Sequence, residues 1–131
     1  MSLFEKVCEL EEESIRFGFR WENSAQIMAQ IRSECEEIEE HLSLDERKIP
    51  NLIELQGEIG DLIHAAFSLC IFYKLDPQET LLITLQKYEK RFNAVKELAK
   101  EQGLQNLEGH DFDELMEYWS KAKKLVDKAK S

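Results

Sequence analysis

The chain has 131 residues, 43% of them hydrophobic, so it is long enough for one domain with a real core. Its 27 acidic residues against 17 Lys and Arg give a net charge of −10, which argues against nucleic acid or an anionic membrane surface as partner. A small polyphosphate that arrives with its own Mg²⁺ remains compatible with that charge.

Five capping residues, each followed three positions later by Glu or Gln, divide the chain: Ser2/Glu5, Asn23/Gln26, Asn51/Glu54, Asp76/Glu79 and Asp111/Glu114. That spacing serves the orphan N–H groups of a helix start. The first helix is expected to end at Gly18. The second carries Met28, Ile31, Cys35, Ile38 and Leu42 at steps of three and four, the pattern of a bundle seam. The third, roughly 52–74, is apolar nearly all round over its second half and is expected to be the most buried. The fourth starts with Pro77 after its Asp76 cap and carries Leu81, Leu85, Tyr88, Phe92 and Val95, ending near Gly103. The last, from Phe112, is expected to bury Leu115, Met116, Trp119 and Ala122 and to end in a Lys-rich turn. Connections are short except 43–50 and 103–110. No segment alternates with period two. The expected fold is all-α: a single domain over 1–131, four main helices in a bundle plus a peripheral one.

Cys8, Cys35 and Cys70 are far apart and lack CxxC spacing, so they read as reduced core thiols of a cytoplasmic protein. The opening "MSLFEKVCELEEES" has no signal-peptide core, and the longest uncharged run, 62–73, is too short to span a bilayer. The expectation is a soluble intracellular protein.

The stretch "LQGEIGDLIHAAFSL" (55–69) places acids in a run that otherwise reads as interior. Glu58 and Asp61 stand at i and i+3, on one helical face. In "IRSECEEIEEHL" the matching pair is Glu34 and Glu37, beside the Ile31/Cys35/Ile38 seam, whereas Glu40 and His41 drift towards solvent. An acidic run on a helix is ordinarily a solvated face, and Glu36, Glu39 and Glu40 fit that reading. Four carboxylates from two helices would make an all-oxygen site suited to Mg²⁺ or Mn²⁺ rather than zinc. Gly60, between the acids, costs about 1 kcal/mol of helix stability, best explained by close approach of another helix or a ligand. His64 reads as a buried histidine bonded to a neighbour. Lys87 and Arg91, at i and i+4, are either solvated or a counterpart to phosphates.

Together these segments resemble the MazG-type nucleoside triphosphate pyrophosphohydrolases, whose signature is E-x-x-E, a spacer, then E-x-x-D. Here that is Glu34-x-x-Glu37 and Glu58-x-x-Asp61 within "EIGDLI". "FGFRW" (17–21) is similar to the GFxW segment before the first acidic helix, "KYEKRF" (87–92) to K-F-x-x-R-F, and "LMEYWSKAK" (115–123) to the closing W-x-x-A-K. The likeness covers about 17–123, in order.

The resemblance implies the four-helix-bundle-like MazG fold and a Mg²⁺-dependent hydrolase, with Mn²⁺ as a substitute, that cleaves NTP or dNTP to monophosphate and pyrophosphate, clearing surplus nucleotides. It implies Glu34, Glu37, Glu58 and Asp61 as metal ligands, with Glu37 as candidate base. It implies Lys87 and Arg91 as catalytic contacts to the phosphate chain, Trp119 and Lys123 as further nucleotide contacts, and assembly as a homodimer or homotetramer. Ser33 replaces a second Glu that the family often has before E-x-x-E, and Leu85 and Ser68 replace two Asn residues. The first bears on the number of metal ions or the base, the others on base or sugar preference. Two alternatives stand beside this reading. One is a non-catalytic acidic bundle that binds nucleotide or a partner. The other is a related pyrophosphatase for dUTP, dCTP or phosphoribosyl-ATP.

Overall fold

The computed structural model describes residues 1–43 and 50–128 and is all-helical. It contains α1 (Leu3–Phe17), α2 (Ser24–Ser43), α3 (Leu52–Phe72), α4 (Pro77–Glu101) and α5 (Phe112–Lys128). Most of the 43–50 connection, and the chain beyond Lys128, lie outside the described residues.

Each expected cap closes with a hydrogen bond. Glu5 N–H donates to Ser2 Oγ (3.1 Å), Gln26 N–H to Asn23 Oδ1 (3.0 Å), Glu54 N–H to Asn51 Oδ1 (3.2 Å), Glu79 N–H to Asp76 Oδ2 (2.9 Å) and Glu114 N–H to Asp111 Oδ1 (2.8 Å). Gly18 ends α1 in the left-handed region (φ 97°), with its N–H on Ile15 O, and Gly103 (φ 76°) does the same after α4. Glycine tolerates that conformation because it has no Cβ to clash.

The described residues fall into two compact units, 1–80 and 81 onward. In the first, α2 and α3 form the main pair and α1 packs more lightly on α3. The α2/α3 pair is antiparallel: His41 meets Glu54 and Glu58, while Glu37, one turn earlier, feels Glu58 and Asp61. Phe4 and Phe67 join α1 to α3 edge to face at 5.7 Å. In the second unit, Tyr88 of α4 lies against Trp119 of α5 with ring centroids 5.6 Å apart.

The burial differs from the sequence pattern in three ways. The buried line of α2 runs through Ile27, which is fully enclosed, and Glu34, so it is rotated one position from the expected Met28/Cys35 seam. Second, α3 is not enclosed over its apolar half: only Ala65 and Ser68 are buried, while Leu52, Ile53, Ile59 and Ile63 are exposed. Likewise Leu81, Leu85, Tyr88 and Phe92 leave the α4 seam open. Among the described residues the enclosed apolar side chains are Ile27, Ala65, Pro77, Ala99 and Ala122, too few and too small to use the chain's apolar content. Apolar periodicity marks the faces that want cover, and among the described residues of its own unit neither face receives it. Third, a Cβ placed on Gly60 would meet nothing within 4 Å, so among the described residues of its unit no close approach accounts for the glycine. It lies on the open side of α3.

Among the described residues, no helix is long and apolar enough to cross a membrane. Cys8, Cys35 and Cys70 are free and half-buried. Burial, with Asp76, Glu12 and Glu11 nearby, raises the Cys8 pKa and keeps it a thiol.

Candidate functional site

The E-x-x-E and E-x-x-D acids stand on the facing helices α2 and α3. Glu34 is buried, 7% exposed. Its Oε1 accepts a 2.6 Å hydrogen bond from Gln30 Nε2, one helical turn earlier, and its Oε2 is enclosed with no partner. Glu58 is arranged in the same way: His41 Nε2 lies 3.0 Å from its Oε1, and its Oε2 is buried and unpartnered. Buried oxygens of that kind are costly unless a donor or cation meets them. His41, expected to drift to solvent, instead turns inward between Glu54 and Glu58. An imidazole there finds a hydrogen-bond partner in Glu58, with Glu54 at ion-pair distance, that the apolar pattern does not reveal.

Glu37 and Asp61 are exposed. For Asp61 this departs from its apolar sequence surroundings, because the neighbouring α3 face is open. The Glu37 pKa is raised, first by the charge of Glu34, then by burial, by a hydrogen bond that a protonated Glu37 makes to Glu34, and by Glu58 and Asp61. All four acids therefore share one electrostatic neighbourhood. Among the described residues, no three Asp, Glu, His or Cys side chains already converge as ligands of one ion. Repulsion between like charges, which lifts Glu37, also opposes convergence.

A cleft that no sequence pattern marks lies beside these acids. It encloses about 890 Å³ within the first unit, and both Glu34 and Asp61 line it, with Phe19 and Trp21 of "FGFRW". Glu11, His64 and Ser68 line it too. Glu11 Oε1 accepts hydrogen bonds from His64 Nε2 (2.8 Å) and Ser68 Oγ (2.7 Å). His64 is thus bonded to a neighbour, as expected, but its side chain is largely exposed rather than buried. Nothing in the run "ELEEES" sets Glu11 apart from its acidic neighbours. Only the packing of α1 on α3 selects it.

No model of a known protein family matches the chain. Over 116 residues, 88% of its length, it is 23% identical to the nucleoside triphosphate pyrophosphohydrolase of Escherichia coli (strain K12), of which the match covers 43%. The chain is distantly similar to a pyrophosphohydrolase. Over 74 residues, 56% of its length, it is 34% identical to the uncharacterized protein YabN of Bacillus subtilis (strain 168), covering 15% of that protein. The chain thus spans less than half the length of these relatives.

In the second unit, Lys87 is exposed and Arg91 is half-buried. Arg91 lies over Trp119 (5.9 Å to the ring centroid) and places Nη2 3.3 Å from Asp127 Oδ1, while its Nε is buried without a partner. An arginine stacked on an indole keeps its fork in a defined plane. Lys123, on the same helix as Trp119, is half-buried.

Proposed function

We propose that the chain hydrolyses a nucleoside triphosphate between the α and β phosphates, releasing the monophosphate and pyrophosphate. Glu34, Glu37, Glu58 and Asp61 would hold Mg²⁺, or Mn²⁺ in its place. The observation that carries this reading is the pair of enclosed, unpartnered oxygens, Glu34 Oε2 and Glu58 Oε2, on facing helices. An all-oxygen donor set of this kind fits a hard divalent cation. The distant similarity to the Escherichia coli pyrophosphohydrolase supports the same reaction class.

When bound, the ion would acidify a water molecule and offset phosphate charge. The protein's own groups do the rest. Gln30 and His41 each hold one oxygen of a ligating carboxylate and so orient the other. Glu37, whose carboxyl retains its proton more readily than an ordinary Glu, suits the role of proton acceptor from the attacking water. Lys87 and Arg91 would stabilise charge on the departing pyrophosphate, with Trp119 and Lys123 as further nucleotide contacts. Clearance of surplus or non-standard nucleotides is the purpose that the resemblance suggests.

A second copy of the chain, in a homodimer or homotetramer, would cover the open apolar face of α3, and sedimentation equilibrium tests that assembly. Ser33, in place of the acid the family often carries, is what favours a non-catalytic nucleotide-binding bundle instead. Pyrophosphate release over a panel of standard and modified nucleotides with Mg²⁺ separates the two readings. Nucleotide binding without release selects the second.

A further inference from the structure

We propose that Glu11, fixed by His64 and Ser68 in the wall of the cleft, reads the exocyclic amino group of a nucleobase. The site would thereby prefer amino-bearing bases to their oxo counterparts. This inference rests on the nucleotide reading of the cleft.

Glu11 is a carboxylate in an enclosed place, its side chain 14% exposed, and Ser68 beneath it is 5% exposed. An ionised carboxylate has about four lone-pair positions, two on each oxygen. His64 and Ser68 both donate to the same oxygen, Oε1, and so use its two positions. The geometry leaves Oε2 to accept from something else and prevents the carboxylate from turning to offer Oε1 in its place. A tie between α1 and α3 would need no space around it. These three residues instead line a cleft of about 890 Å³, within the range that encloses small ligands. Trp21 and Phe19 give that cleft flat aromatic faces, and Glu34 and Asp61 put the proposed phosphate chemistry along the same cleft.

A single accepting oxygen discriminates by charge and direction. The 4-amino group of cytosine or the 6-amino group of adenine donates to it. The 4-oxo group of uracil or the 6-oxo group of hypoxanthine presents a lone pair to a negative oxygen and is repelled. The pairs CMP/UMP and AMP/IMP differ at that exocyclic group and at the ring nitrogen beside it, an acceptor in cytosine and adenine and an N–H donor in uracil and hypoxanthine. The ratio therefore reads the exocyclic group where Glu11 faces it rather than the ring edge.

The test measures CMP, UMP, AMP and IMP binding by isothermal titration, and kcat/KM for pyrophosphate release from the matching triphosphates. The wild-type protein should favour the amino member of each pair. In Glu11→Gln the amide oxygen would keep His64 and Ser68 as donors and turn an NH₂ group to the ligand. The amino-to-oxo ratio should then fall by about tenfold to a hundredfold, even to reversal. If Glu11→Gln does not fold by circular dichroism, Ser68→Ala reads the same device: a carboxylate held by His64 alone should lose part of the preference. Equal ratios in the wild type, or losses in Glu11→Gln that are the same for every base, would overturn the proposal and leave Glu11 as a helix tie. A base preference in monophosphate binding without any pyrophosphate release would sustain it while sinking the proposed hydrolysis. Release without base preference would do the reverse.

Discussion

His41 Nε2 on α2 lies 3.0 Å from Glu58 Oε1 on α3, so a histidine holds one oxygen of a carboxylate whose other oxygen is enclosed and unpartnered. Gln30 holds Glu34 in the same way. Groups that orient a ligand without touching the ion typically change metal affinity by about tenfold to a hundredfold when removed. His41→Ala should therefore weaken Mg²⁺ binding by about that factor in isothermal titration, while Asp61→Ala should abolish it. Unchanged affinity in both variants would dissolve the four-carboxylate site.

Glu37 gives a pH dependence. Its pKa is raised chiefly by Glu34, so in the metal-free protein it binds its proton more tightly folded than unfolded. The native state then holds more protons across the window from the ordinary Glu value upward, and stability falls as pH rises through it. Glu37→Gln removes the repelled charge. Its melting temperature without metal should exceed that of the wild type near neutral pH, and the gain should vanish below the carboxylate range. A Tm difference that is flat with pH would contradict the assigned cause.

Lys87→Ala and Arg91→Ala should each lower kcat/KM by about tenfold to a thousandfold, equivalent to about 1.4–4 kcal/mol of transition-state stabilisation. Arg91→Lys should recover only part, because an ammonium cannot reproduce the planar fork that lies over Trp119. Asp127→Ala separates the roles of Arg91. It removes a partly exposed ion pair, an interaction of roughly 0–1 kcal/mol, and should leave stability nearly unchanged. If both alanine variants turn over normally, Lys87 and Arg91 are surface charge.

Helix boundaries were legible because capping is a local code: Asn51 and Asp111 announce α3 and α5 within four residues of themselves. Burial was less so. The apolar text of α3 predicts an interior, yet Ile59 and Ile63 face outward, since periodicity says which face seeks cover and not what covers it. The Glu34 and Glu58 spacing could be read, but not that Gln30 and His41 would each take one oxygen. Glu11 was invisible, because its role depends on α1 meeting residues more than fifty positions away. Long-range pairing of polar side chains leaves no periodic trace.

Asp61 decides between a functional and a structural acid in "EIGDLI". It is exposed on α3, and among the described residues no Lys, Arg or His stands within ion-pair distance of it. Its charge contributes to raising the Glu37 pKa, so without metal it adds repulsion to the cluster. Asp61→Asn is nearly isosteric, strands no cation and removes one repelled charge, so circular dichroism should show a melting temperature equal to or above that of the wild type. An amide is a poor substitute for a carboxylate towards Mg²⁺, and metal-dependent pyrophosphate release should fall by at least about a hundredfold. An acid that served only to hold a helix partner would behave in the opposite way, losing roughly 3–5 kcal/mol of stability if the pair were buried. A destabilised Asp61→Asn protein that still releases pyrophosphate would therefore remove this residue from the site.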